Sequence, residues 1–178
     1  MDIYTPTGYR LSPVIEENER QLQSVLEVYR QCEDFLALGP VAQASLAMVR
    51  ADLALSRKEG CTFYGIYHPV SGEMVGIVDF STFGFEGDDH LAFLSLLMIA
   101  APHRGGGLGA EVVAAVEAEI RRVGRASAIE SGVQVNNPVA IRFWQRMGYA
   151  ITSGPRDMHD GTTAYQLLKK LPGNSPAG

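Results

Sequence analysis

Four glycines within five residues, Gly105, Gly106, Gly107 and Gly109, form the densest chemical signal in the chain. They stand between an apolar run, Leu91 to Ile99, and an Ala/Val/Glu run from Glu111 to Arg122, a succession that predicts strand, glycine turn and helix. Without Cβ atoms, the backbone N–H groups of such a turn can converge on a ligand oxygen at the positive end of a helix. The chemistry served is binding of an anion, most often a phosphate. A P-loop would require Lys and Ser or Thr after the last glycine, and here Ala110 and Glu111 follow Gly109, so that reading fails. Gly105, Gly107 and Ala110 also spell G-x-G-x-x-A, with Glu130 about twenty residues on, as a dinucleotide fingerprint asks. That fingerprint closes the first strand of a repeating βαβ array, whereas this turn comes late in the chain. Arg104, Gly107 and Gly109 together spell R-x-x-G-x-G, and a glycine-rich helix start with no ligand is the remaining alternative.

Periodicity and punctuation predict the elements that must hold this turn. Tyr9 to Leu11 reads as a short strand, and Ser12-Pro13 as an N-cap followed by proline at the first helical position. Leu22, Val25, Leu26 and Tyr29 then recur at helical spacing, and Ala42, Leu46, Val49 and Leu53 predict a second helix to about Arg57, ended by Gly60. Thr62 to Tyr67 and Met74 to Ser81 predict a hairpin. In the loop Gly84 to His90, Glu86, Asp88 and Asp89 make either a charged surface turn or an acidic rim for an amine. Beyond the turn helix, Ile129 to Val135 predicts a strand, Asn137-Pro138 caps a helix running to Met147, and Gly148 stops it. Tyr149 to Thr152 and Thr163 to Lys169 predict a last hairpin turned by Asp160-Gly161. The order is strand, two helices, three strands, helix, strand, helix, two strands: an α+β or mixed α/β fold, not a doubly wound sheet. One domain over residues 1–172 and a frayed tail over 173–178 are expected.

The composition narrows the class of partner. With 178 residues, 46% of them hydrophobic and 20% charged, the chain has the balance of a globular domain. A net charge of −5 argues against nucleic acid and leans toward a cationic partner such as an amine. Cys32 and Cys61 stand far apart without metal-ligand spacing and read as reduced thiols of a cytoplasmic protein, with no metal site expected. Met1 to Arg10 has no apolar targeting core, and Leu91 to Ile99 is too short to cross a membrane, so no membrane partner is expected.

Two motifs together resemble the GCN5-related N-acetyltransferases (GNAT). Arg104-x-x-Gly107-x-Gly109 resembles their pyrophosphate-binding turn, and Asn137, Ala140, Phe143, Gly148 and Tyr149 stand in a second stretch that looks like the family's Asn, Ala, two aromatics, Gly and aromatic. The likeness spans roughly residues 60 to 170, while the first sixty match in helix count alone. It implies an acyl-CoA N-acyltransferase fold: a central, mostly antiparallel sheet flanked by helices, in which the fourth and fifth predicted strands, Leu91 to Ile99 and Ile129 to Val135, splay apart. It further implies acetyl-CoA as co-substrate, its pyrophosphate on the turn formed by Arg104, Gly105, Gly106, Gly107, Leu108, Gly109 and Ala110. The pantetheine arm would lie along the backbone of Met98 and Ile99, with Asn137 nearby or serving as a helix N-cap.

Two departures from the family pattern bear on mechanism. Trp144 stands where many members carry a tyrosine that protonates the departing thiolate; an indole N–H can orient or pack beneath a sulfur but is too weak an acid to surrender its proton. On the strand before the turn, Phe93, Ser95 and Leu97, taken as alternating with Ile99, offer only a serine, which could position a water. Asp79 is the leading carboxylate, as general base or as a solvated strand-end residue, with Glu130 behind it. The expected activity is direct attack of an amine, on a small molecule or a protein, upon the thioester, by a possible homodimer. A catalytically silent CoA-binding module is the alternative.

Overall fold

Paired strands dominate the molecule, a computed structural model of which describes residues 1–158 and 161–172; His159, the predicted turn residue Asp160 and the 173–178 tail lie outside the described residues. The strands are β1 (Ile3–Tyr4), β2 (Arg10–Pro13), β3 (Thr62–Tyr67), β4 (Met74–Ser81), β5 (Leu91–Ile99), β6 (Ala128–Gln134), β7 (Ala150–Ile151), β8 (Arg156–Asp157) and β9 (Thr163–Lys170). They form one sheet in the order β1-β2-β3-β4-β5-β6-β9-β7, with β8 also beside β9. Every pairing is antiparallel except that of β5 with β6. This is the mixed α/β, mostly antiparallel architecture expected.

Helices cover both faces. On one, α1 (Glu19–Arg30) and α3 (Leu46–Lys58) bury the predicted stripe Leu22, Val25, Leu26 and Tyr29 with Val49 and Leu53 against Phe63, Ile77 and Met98. On the other, α4 (Leu108–Val123) and α5 (Pro138–Arg146) pack Val112, Val113, Val116, Ile120 and Trp144 on Val78, Phe80, Leu94, Ile129 and Leu167. A short α2 (Glu33–Leu36) lies between α1 and α3.

Several predicted starts are corrected. Ser12 and Pro13 do not open a helix; they end β2, paired with Gly65 and Tyr64 of β3, where proline's missing N–H is tolerated. Helix α1 begins six residues later, with Asn18 Oδ1 accepting from the Arg20 and Gln21 amides while Gln21 Oε1 accepts from the Ile15 amide. Helix α3 starts at Leu46 under a Ser45 cap, so Ala42 precedes it, and α4 starts at Leu108, inside the glycine turn. The predicted arms pair as β7 and β9, and β8, which follows β7 in the chain, is an added strand on the Thr163–Ala164 end of β9.

The decisive irregularity lies in β5. Asp79 of β4 pairs with Leu96 and Phe80 with Leu94, so Ser95 is an extra residue without a partner on β4. A one-residue bulge reverses the facing of everything beyond it. Ala92 and Leu94 point to the α4 side, yet Leu96 and Met98 point to the α1 and α3 side. The expected alternation of Phe93, Ser95 and Leu97 with Ile99 is therefore broken at Ser95. Pairing with β6 ends at the same place: it runs from Leu91–Ala128 to Leu94–Ser131 and no further. There the buried Ser131 Oγ donates to the Leu94 carbonyl at 2.8 Å, taking an acceptor that a continuing ladder would use. Past this neck β5 and β6 diverge, as the splay of the fourth and fifth predicted strands requires.

A buried charge cluster anchors α4 to the far half of the sheet. Glu117, 3% exposed, receives Lys169 Nζ on both oxygens at 2.7 and 2.8 Å and Arg121 at 2.9 Å. The third ammonium proton goes to the Met147 carbonyl at 2.7 Å. Removing one member of a buried pair strands the other. Lys169→Met is expected to lower stability by about 3 kcal/mol in urea unfolding, and adding Glu117→Met to recover most of that loss.

Candidate functional site

The glycine turn sits at the open end of the divergence between β5 and β6. Gly105 and Gly107 have φ of +82° and +87°, the left-handed region that a side chain enters at a cost. A Cβ built on Gly105, Gly106 or Gly107 would meet nothing within 4 Å, so the turn faces open space. At Gly109 a Cβ would instead touch the Phe143 ring at 3.5 Å, so this glycine serves packing of α4 on α5. Gly107 is the N-cap residue of α4 and provides no side-chain cap. The first-turn amides of Leu108, Gly109 and Ala110 thus stand without a side-chain cap at the positive end of a 16-residue helix. This is an anion cradle made of backbone.

Arg104 is turned elsewhere. Its Nε donates to the Ile99 carbonyl at 2.7 Å, and its two terminal nitrogens grip the Asp34 carboxylate at 2.5 and 3.1 Å. The guanidinium holds the Asp34 carboxyl below the usual carboxylate range. Buried Cys32 adds its Sγ to the same Ile99 carbonyl at 3.4 Å.

Backbone alternation fixes what β5 presents to the gap. The Ala100 amide bonds to the Val75 carbonyl at 2.9 Å on the β4 side. In an antiparallel ladder the next bonded pair toward the neck is Ile77 with Met98. Met98 therefore directs its N–H and C=O to β4, and Leu97 and Ile99 direct theirs to the gap. Asn137 lies across the gap as the N-cap of α5, its Oδ1 accepting from the Ala140 amide at 3.0 Å. Asn136 Nδ2 reaches the Leu38 carbonyl at 2.9 Å and joins this corner to the segment before α3.

Asp79 is not a solvated strand end. It is 3% exposed and accepts from Ser56 Oγ of α3 at 2.7 Å. Burial pushes its carboxyl up to about 6, a shift opposed by the Ser56 and Ser95 hydroxyls. Its bulge neighbour Ser95 is half-buried at the neck of the gap. Next to this pair the Tyr29 hydroxyl, its acidity suppressed chiefly by burial, donates to Asp52 Oδ2 at 2.6 Å. On the far side, Ser56, Cys61 and Phe63 line a surface hollow of about 290 Å³ shared with Ile15, Glu16 and Arg57. Asp79 thus has Ser56, which lines that hollow, on one side and Ser95, next after the last residue paired with β6, on the other.

The other residues singled out are scattered. Trp144 is 6% exposed and packs edge-on against Tyr149 and Phe143, in the core beneath α4 and away from Asp79 and Ser95. Glu130 is paired with Phe93 and Leu168 on the sheet face opposite α4. Asp89 pairs with Arg125 at 2.9 Å, and Asp88 accepts from the His90 amide, as in a charged surface turn. Among the described residues no three His, Cys, Asp or Glu side chains gather as metal ligands, and no helix is long and apolar enough to cross a membrane. Sequence reasoning missed Asp34, Cys32 and Ser56; the acid in the short α2 and the i, i+4 spacing of Asp52 and Ser56 were their traces.

Comparison with known proteins agrees with this geometry. The family model described as the acetyltransferase (GNAT) family matches residues 22–149. Blasticidin-S acetyltransferase of Streptomyces morookaense is 35% identical over 78 residues, 44% of this chain and 56% of that protein, so the match spans little more than half of the relative's length. An acetyltransferase structure from Thermus thermophilus aligns with a TM-score of 0.73 at 23% identity, over 96% of this chain and all of that one. A ribosomal L7/L12 alpha-N-protein acetyltransferase in complex with coenzyme A aligns at 0.72 and 14% identity, over 96% of this chain and 98% of that one. These structures establish likeness of fold. By the match over residues 22–149, which covers both the strand gap and the glycine turn at its end, the chain belongs to the GNAT acetyltransferase family.

Proposed function

We propose that this chain transfers an acetyl group from acetyl-CoA to an amine by direct attack of the amine. The observation that carries the reading is the uncapped glycine turn opening at the end of the strand gap. The residues fit the co-substrate: the amides of residues 106–110, without a side-chain cap, suit a pyrophosphate, and the gap-facing N–H groups of Leu97 and Ile99 suit the amide-bearing arm. Bound acetyl-CoA would supply the activated acyl thioester. The protein's part is to fix that group by strand-like hydrogen bonds and to aim a β5 N–H at the carbonyl oxygen.

Asp79 is the proposed proton acceptor, acting through Ser95. With its carboxyl near 6 it is ionised at neutral pH yet basic enough to receive a proton. Ser56 then connects it to the hollow, and so to bulk water. Trp144 serves by packing and has no part in proton transfer. The names of the similar proteins bracket the acceptor between a small molecule and a protein N-terminus.

Two outcomes test this reading. Gly106 has open space around it and no positive φ, so Gly106→Glu leaves the backbone unstrained while placing a negative charge in the cradle. The variant should stay folded and lose acetyl-CoA binding by at least about a hundredfold in calorimetric titration; unchanged affinity would remove the central claim. For Asp79 the sign is set by a folded value above the ordinary 3.8. Between about 4 and 6 the folded state binds the extra proton, so stability falls as pH rises through that window, by roughly 3 kcal/mol in total. Asp79→Asn should abolish this slope in urea midpoints measured at pH 4 and pH 7. It should also lower kcat about a hundredfold and erase the limb of the pH–rate profile near 6.

A further inference from the structure

Arg104 raises a question that the acetyltransferase reading leaves open. The arginine of an anion-binding turn is expected to face the anion, yet three of its five N–H groups are committed elsewhere, two to Asp34 and one to the Ile99 carbonyl. The Ile99 carbonyl also accepts from Cys32 and so has both lone pairs occupied. The Ile99–Ala100 peptide keeps one tie to β4, the Ala100 amide on the Val75 carbonyl, while its carbonyl end has no partner strand on the gap side. Holding the Ile99 carbonyl gives that peptide a second tie and steadies the end of β5, where the N–H groups of Leu97 and Ile99 face the gap. A bidentate guanidinium–carboxylate pair sets the plane of the arginine and hence the direction of its Nε–H.

We propose that Asp34 is a positioning residue for the reactive end of β5. Acting through Arg104, it fixes the strand-end peptide against which the acyl donor is aligned, and it leaves anion binding to the backbone amides of the glycine turn. The proposal rests on the reading of the gap as the acetyl-CoA site. It assigns a task to the short α2, which carries Asp34 in its first turn.

Two donors separate a clamp from an anion ligand: acetyl-CoA, and S-acetylpantetheine, which has the arm and thioester but lacks the nucleotide and its phosphates. Asp34 is exposed, so Asp34→Asn is not expected to disturb folding, which a thermal melt checks. The expected result is a loss in kcat/KM of about tenfold with both donors by the same factor, largely restored in Asp34→Glu. Arg104→Gln, the second variant, should show the same equal loss. If Asp34→Asn instead tightens acetyl-CoA binding and leaves S-acetylpantetheine unaffected, Arg104 is an anion ligand that Asp34 restrains, and the proposal fails. Equal activity of variant and wild type with both donors also overturns it. Wild-type protein that binds neither donor would overturn the underlying reading of the site, an outcome distinct from either.

Discussion

Everything proposed for this molecule depends on the parting of β5 from β6 after Leu94. Strand backbone cannot be left bare inside a protein without loss, because each buried N–H and C=O requires a partner. Ser95, inserted as a bulge, takes β5 out of register, and Ser131 caps the Leu94 carbonyl with its side chain. Arg104 and Cys32 cap the Ile99 carbonyl further along. The structure silences two of the liberated carbonyls and leaves N–H groups of Leu97 and Ile99 toward the gap. A ligand carrying amides in an extended arm would complete the interrupted ladder, much as a peptide adds to a sheet edge.

The same bulge explains why a carboxylate can lie so near the gap and yet be so buried. Reversal of side-chain facing puts Leu96 and Met98 under α1 and α3, and Ser95 beside Asp79 of the neighbouring strand. An ionised carboxylate at 3% exposure is costly, and two serine hydroxyls offset only part of that cost. The remaining expense appears as a raised proton affinity. A residue that weakens the fold at neutral pH is therefore placed where the proposed transfer would use a base near neutrality, a trade between stability and chemistry.

Legibility in the sequence followed the range of the interactions. Local patterns were clear: the hairpin of β3 and β4 and the nine residues of β5 carry their bounds in turn residues and apolar runs, and the Asn137-Pro138 cap is explicit. The start of α1 was masked because Ser12-Pro13 imitates a cap, whereas Asn18 is the actual N-cap and Gln21 reaches back past it to the Ile15 amide. The glycine turn was legible because its left-handed backbone at Gly105 and Gly107 favours one residue type. The bulge was not, since Ser95 within Leu91–Ile99 differs in no local respect from an inward serine in regular alternation; only pairing with β4 reveals the extra residue. Asp34 was invisible for the same reason: its partner lies seventy positions away.

The cluster around Glu117 acquires a geometric meaning from the position of the turn. The field at a helix end is directional and fades within a turn, so its usefulness depends on where the axis points. Glu117 lies ten residues from Gly107, about 15 Å along the axis at 1.5 Å per residue. A tilt of only about 5° about that anchor would carry the turn through roughly 1.3 Å, a displacement of the size that costs enzymes about a hundredfold. Lys169 and Arg121, gripping one carboxylate from β9 and from the helix itself, act as the fixed end of a lever. Their contribution is angular: a rigid mount far from any ligand keeps the other end of α4 on target.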